Sequence, residues 1–164
     1  MRTFFRFETS TQPGDTLDRV LDHGATPVLG TTDSFVKPFD KSNKLKVLAA
    51  FDGSLSATVA LKRFMQCFPA DRLRVRLLAS NEDRAASEIL LGQAEAYLRA
   101  YGVRSVEKQT TTQNILDAVR EHHLDWAGMA VVGAHAKKGL VDFMEGSLTK
   151  TLVQAARIPV FIGL

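Results

Sequence analysis

Leu45-Lys46-Val47-Leu48-Ala49-Ala50-Phe51 is a short apolar run, and Asp52-Gly53-Ser54 closes it. A run of that length ending in a turn and helix-start signal reads as a buried strand that leads into a helix. From Leu55 to Phe68 the apolar residues Val59, Leu61, Phe64, Met65 and Phe68 recur at helical spacing, and Pro69 stops the pattern. Leu73–Ala79 is a second strand. Ser80-Asn81-Glu82-Asp83 caps a second helix that runs to about Ala100, with Ala86, Ile89, Leu90, Ala94, Tyr97, Leu98 and Tyr101 as its stripe. Gly102 ends that helix. Val103–Glu107 is a third strand, Asn114–His122 a third helix and Met129–Gly133 a fourth strand. Leu148–Ala156 is a fourth helix and Ile158–Ile162 a fifth strand.

Strands alternating with helices predict an α/β fold: a five-stranded parallel open sheet with helices on both faces, wound in right-handed units. Such sheets bind ligands beyond the carboxyl ends of their strands, where the winding reverses. The residues to examine are therefore Asp52, after the first strand, and Gly133 onward, after the fourth.

The N-terminal part carries a repeat of the chain's end. Gly14 to Leu29 matches Gly146 to Phe161, with the same Gly-to-Pro spacing at Gly14/Pro27 and Gly146/Pro159. Val20 falls on Leu152, and Leu21 on Val153. Residues 1–30 thus read as the last helix and last strand of an upstream copy, with Met1 opposite Gly133 when extrapolated without gaps. Residues 31–44, rich in turn formers, read as a linker, and 45–164 as the domain.

At 164 residues, with 45% hydrophobic and 24% charged residues and a formal charge of +3, the chain has the balance of a soluble globular protein. Arg72, Arg74 and Arg76 alternate with apolar residues and read as one solvated strand face, not a nucleic-acid surface. No apolar stretch approaches a membrane span, and the start lacks the features of a signal peptide. A cytoplasmic protein with no nucleic-acid or membrane partner is expected. Cys67 is the single cysteine and reads as a buried, inert thiol. His122-His123 with Asp125 reads as a helix end favoured by the helix dipole rather than a metal site. Trp126 reads as an anchor for the approach to the fourth strand. No metal and no catalytic residues are expected: neither a Walker lysine–serine pair nor a nucleophile elbow is present.

Gly133-Ala134-His135-Ala136, then nine residues, then Gly146-Ser147, resembles the signature of the universal stress proteins: Gly, two residues, Gly, nine residues, Gly, then Ser or Thr. The strand ending Ala49-Ala50-Phe51-Asp52-Gly53-Ser54 resembles that family's first strand and turn. The likeness covers Lys44 to Leu164 and extends weakly over 1–30, as if the chain were the second half of a tandem member. It implies the adenine nucleotide alpha hydrolase-like fold and an ATP site. By resemblance, Asp52 approaches the adenine or ribose, Gly133 and Ala136 admit backbone to the ribose and phosphates, and Gly146, Ser147 and Leu148 hold the phosphates. A helix N-terminus suits that last role physically. His135, Lys137 and Lys138 in the same loop read as solvated. The departure is Ala136, where the signature has its second glycine. Were its φ positive, alanine would cost about 1–2 kcal/mol. The alternative is the same fold without nucleotide, serving as a protein-interaction module. The resemblance also implies edge-to-edge antiparallel pairing of last strands. Thr26-Pro27-Val28-Leu29 would then pair near Ile158–Ile162 in its own chain or a partner, within a homo-oligomer held by the last strand and residues 1–30.

Overall fold

The computed structural model describes residues 3–7, 26–32, 39–133, 152 and 157–163. In chain order the elements are strands β1 (Thr3–Phe7), β2 (Val28–Thr32) and β3 (Leu45–Ala50), helix α1 (Leu55–Cys67), strand β4 (Leu73–Ser80), helix α2 (Arg84–Ala100), strand β5 (Ser105–Thr111), helix α3 (Ile115–Ala118), strand β6 (Met129–Gly133) and strand β7 (Val160–Gly163). A wider π turn, Val119–His123, continues α3.

The strands form one seven-stranded sheet in the order β1-β2-β7-β6-β3-β4-β5. Within it, β7-β6-β3-β4-β5 are mutually parallel, which is the five-stranded sheet expected from the sequence. Two further strands extend it. β2 joins β7 antiparallel, pairing Val28 with Ile162, Leu29 with Phe161 and Gly30 with Val160. β1 then pairs parallel with β2, from Thr3–Val28 to Phe7–Thr32.

Side chains alternate across the sheet into two cores. On one face Val47, Ala49, Val75, Leu77, Val131 and Phe161 pack against Phe64 and Leu61 of α1 and Leu91 and Leu98 of α2. Phe161 meets Phe64 edge-on at 5.4 Å between ring centroids. On the other face Leu48, Leu78, Val132, Ile162 and Val28 pack with Val119, Leu124 and Leu152.

Each helix begins on a polar cap. Ser54 Oγ accepts from Ala57 N–H to start α1, and Asp83 accepts from Ala86 N–H to start α2. Phe68, ahead of Pro69, closes α1 in extended backbone. Gly102, at φ +97, turns the chain out of α2, a conformation that costs glycine least.

Several expectations need correction. Residues 1–30 hold a strand that the sequence reading did not expect, β1, while the helix expected after Gly14 lies outside the described residues. β2 runs to Thr32, so Thr31 and Thr32 belong to the sheet rather than to the 31–44 linker. The third strand is Ser105–Thr111, two residues later at its start and longer than read. The inward line of α2 is Ser87, Leu91, Ala94 and Leu98, whereas Ile89 is 67% exposed. The fourth helix lies outside the described residues except at Leu152.

The Arg74–Arg76 face is not freely solvated. Both guanidinium groups bind Glu107 on the neighbouring strand, Arg74 to Oε1 at 2.6 Å and Arg76 to Oε2 at 2.9 Å. Arg76 also stacks on Trp126 at 3.8 Å, and its side chain is only 12% exposed. The last strand has no open edge: β6 flanks β7 on one side and β2 on the other. A homo-oligomer cannot add to β7 without displacing β2.

Candidate functional site

The winding of the parallel sheet reverses between β3 and β6. From β3 the chain passes through α1 to β4 and on to β5. After β5 it returns to the other side of β3, to β6 and then β7. The carboxyl ends of β3 and β6 therefore flank a topological switch point, the place where open α/β sheets leave a crevice. Continuing the β3–β6 register two residues beyond Ala49–Val131 sets Phe51 beside Gly133. Asp52 is the next residue out.

Asp52 is exposed, and its Oδ1 accepts the Ser54 N–H at 2.9 Å. That turn fixes the carboxylate at the mouth of the crevice and leaves Oδ2 without a partner among the described contacts. Gly53 supplies the positive φ of +76 that the turn demands. Ser54 then caps α1, and its Oγ lies 3.0 Å from the Ser56 Oγ. The first turn of α1 thus brings two hydroxyl groups and a helix N-terminus to the same end of the sheet.

Gly133 has a role that sequence reasoning missed. A Cβ there would lie 2.5 Å from the Ser56 carbonyl carbon and 2.6 Å from the Ala57 nitrogen, both backbone. Gly163 packs in the same way beneath Ala60. The two glycines let α1 lie directly on β6 and β7. Gly133 is thus demanded by packing, whether or not a ligand approaches it.

Of the sequence-predicted site residues, the structure brings Asp52 and Gly133 together. Ala136, Gly146, Ser147 and Leu148 lie outside the described residues. Two residues were missed, Ser80 and Asn81, at the carboxyl end of β4. The Phe51 N–H donates to the Leu78 carbonyl, which brings Ser80 close to Asp52 on the side away from β6. Ser80 Oγ donates to the Gln113 carbonyl at 2.7 Å, and Asn81 N–H to the Thr111 carbonyl at 3.1 Å. Asn81 is exposed, and its Oδ1 accepts the Asp83 N–H at 2.9 Å. Applying the strand-end rule to the second strand as well as the first and fourth would have found them.

His122 and His123 differ in their surroundings. Their rings stand nearly perpendicular at 6.5 Å, His122 exposed and His123 buried against Arg76, whose Nη1 lies 3.4 Å from its Nδ1. Burial pushes the His123 pKa down from its ordinary value, and the neighbouring Arg76 and His122 push the same way. Glu107 is held below the usual carboxylate range: burial would raise it, but the hydrogen bonds from Arg74 and Arg76 outweigh that. No group of residues able to hold a metal ion occurs among the described residues.

A five-stranded parallel α/β core whose winding reverses between β3 and β6 defines a doubly wound α/β domain. Among doubly wound α/β domains, the chain has the universal stress protein fold. It superposes on a universal stress protein in complex with cAMP at TM-score 0.60 and 22% identity, covering 71% of this chain and 94% of that one. It also superposes on a universal stress protein from Archaeoglobus fulgidus DSM 4304 at TM-score 0.68 and 17% identity, covering 98% of this chain and 59% of that one. A putative universal stress protein from Pseudomonas aeruginosa UCBPP-PA14 matches at TM-score 0.59 and 16% identity over 97% of this chain and 61% of its own. This chain thus spans about three-fifths of the two longer neighbours. No family model matches the sequence, and no curated protein matches it. No helix among the described residues is long and apolar enough to cross a membrane.

Proposed function

We propose that this chain is a cytoplasmic stress-response protein that binds an adenine nucleotide, ATP in the first instance, across the carboxyl ends of β3 and β6. It acts through binding and assembly rather than through a catalytic step. The observation that carries this reading is the exposed Asp52 carboxylate, fixed by the Ser54 N–H beside the strand end that opens the signature loop. In this reading Asp52 takes a ribose hydroxyl or adenine amine. Gly133 and Ala136 line the path of the ribose and phosphates, and Gly146, Ser147 and Leu148 receive the phosphates at a helix start. The cAMP bound by one structural neighbour makes a cyclic nucleotide the natural competitor.

A second reading has its own observation. Gly133 is explained by the seat of α1 alone, and Ala136 fills the second glycine position of the signature. The fold without a nucleotide, serving as an interaction module, follows from those two facts. Isothermal titration separates the readings. ATP binding by the unaltered chain, abolished by Gly146→Leu and weakened by Asp52→Ala, supports the first. No heat from ATP or cAMP supports the second, and phosphate release from ATP would oppose the non-catalytic reading.

We also infer that residues 1–32 are the tail of an upstream repeat. Residues 28, 29 and 30 stand 132 positions before 160, 161 and 162 in the sequence repeat. The antiparallel pairs Val28–Ile162 and Gly30–Val160 exchange with each other under that offset, and Leu29–Phe161 maps onto itself. The pairing therefore has a local two-fold centred on Leu29 and Phe161. Burial follows it: Val28 and Val160 share one core, while Leu29 and Phe161 pack on the other.

A further inference from the structure

The Arg76 guanidinium on β4 is held from three sides. Its Nε and Nη2 donate to Glu107 Oε2 at 3.2 and 2.9 Å. Its Cζ lies over the Trp126 ring, 3.8 Å from the centroid. Its Nη1 lies 3.4 Å from Nδ1 of His123, a residue only 6% exposed. A guanidinium stays charged and can only donate. Nδ1 is therefore the acceptor, and His123 is the neutral tautomer with its proton on Nε2.

The carboxylate beside them has no room for a further donor. Arg74 donates to Glu107 Oε1 through Nε and Nη2, at 3.1 and 2.6 Å, and Arg76 fills Oε2. A carboxylate has about four lone-pair sites, and these bonds occupy them. The other charged groups nearby offer His123 no anion. Asp40 faces Arg74 at 3.8 Å, and Glu121 lies 3.6 Å from the exposed His122. Asp125 binds Arg157 at 2.6 Å, and Lys46 stands 6.0 Å from the Trp126 centroid. A proton on Nδ1 would turn an acceptor into a donor aimed at a guanidinium and set two like charges 3.4 Å apart in a buried place. The backbone ties that event to Trp126. The His123 carbonyl accepts the N–H of Trp126 at 3.2 Å and of Ala127 at 2.9 Å. The segment is anchored at its ends by Val119 in the second core and by the Gly128 N–H on the Lys46 carbonyl at 2.8 Å.

We propose that the segment from Val119 to Trp126 is a pH-sensitive latch on β4: neutral His123 closes it on Arg76, and protonation of His123 releases the Trp126 ring from the guanidinium while the sheet stays folded. The inference rests on this cluster and not on the nucleotide reading. Burial, Arg76 and His122 all push the His123 pKa below its ordinary 6.5. The latch is therefore closed at neutral pH and opens on the acid side of that value. Opening bares the Arg76 and Trp126 faces, so the surface on the α3 side of the sheet changes with acidity.

Trp126 is the single tryptophan, so its fluorescence reads the latch in the unaltered full chain. Between about pH 7.5 and about pH 5 the emission maximum should move to longer wavelength, and the acrylamide quenching constant should rise at least about twofold. The change should follow one proton with a midpoint below about 6.5, while far-UV circular dichroism stays unchanged. His123→Gln keeps an amide oxygen for Arg76 and should remove the transition, whereas His122→Gln, at the exposed neighbour, should keep it. Emission and quenching that stay flat across that range in folded protein overturn the proposal. So does a fluorescence change that coincides with loss of the dichroism signal, because the whole fold is then titrating. A transition that persists in His123→Gln overturns it too. So does one lost in His122→Gln, an outcome that needs no folded His123 variant.

Discussion

Replacing Gly133 with alanine adds one methyl group at a place where α1 has no room for it. The new Cβ would sit 2.5–2.7 Å from Ser56 C, Ser56 O and Ala57 N. Ordinary contact for such atoms begins near 3.4 Å. The atoms in the way are helix backbone, so no rotamer change relieves the overlap. The first turn of α1 must lift by about 1 Å, or β6 must bend, and overpacking of that kind costs about 1–3 kcal/mol. Lifting the turn also loosens Ala57, Ala60 and Phe64 from the core they share with Val131 and Phe161. Urea unfolding followed by circular dichroism should show a lower midpoint with an unchanged slope. At about 2–4 °C per kcal/mol for a chain of this size, a loss of about 2 kcal/mol lowers the melting temperature by about 4–8 °C. A Gly133→Ala protein as stable as the parent would refute the packing account. Gly133 would then matter only to a ligand, and the titration with ATP would be the place to see its effect.

Other substitutions probe the same structure. Ser87 is 1% exposed and its Oγ has no hydrogen-bond partner among the described residues, so Ser87→Ala should raise the unfolding free energy by about 1 kcal/mol. Ser54→Ala removes the α1 cap and should lower it by about 1 kcal/mol, with Ser54→Asp restoring most of the loss in the same urea titration. His123 is kept neutral in the fold by burial, by Arg76 and by His122, while the unfolded chain takes up its proton near pH 6.5. Stability is therefore full above about 6.5 and falls as the pH drops toward the lower folded-state value, by at most about 1.4 kcal/mol per pH unit. Glu107, held low between Arg74 and Arg76, adds its own loss only below the ordinary carboxylate range. A His123→Gln variant whose urea midpoint still declines equally between pH 7 and 5.5 would rule His123 out as the source.

Four of the five parallel strands were legible because each was a largely apolar run with a stop at its end. Asp52-Gly53-Ser54 ended the first, and Pro69 and Gly102 ended the helices between. The antiparallel pairing of Val28 and Leu29 near Ile158–Ile162 was legible from the repeat together with the family resemblance, and the structure places it within one chain. What failed did so for local reasons. The α2 stripe was drawn through Ile89 because apolar residues lie on several sides of that helix and the true inward line starts with a serine, Ser87. Edge strand β5 has one apolar residue in seven, so alternation could not mark its length. Arg74 and Arg76 looked solvated because their partner Glu107 is more than thirty residues away in sequence, adjacent only once β4 and β5 pair. The strand-end rule picked out Asp52 and Gly133, which the structure sets at neighbouring strand ends. Ser80 and Asn81 were not picked out, because nothing in their own sequence marks them apart from their position.

β1 was hidden for a reason that bears on function. The repeat was extended back from Gly14 without a gap, which placed Met1 opposite Gly133. The register sets Thr3 opposite Ala130 instead, because the β1-to-β2 pairing offset is 25 residues and the β6-to-β7 offset is 30. The shorter connection has lost five residues between the strand end and the repeated glycine, where the other copy carries its signature loop. Arg6 also replaces the glycine that seats α1. A short loop and a side chain at the helix seat each remove something a second nucleotide site would need. In the binding reading, residues 1–32 therefore supply no second nucleotide site, and β2 covers the edge of β7.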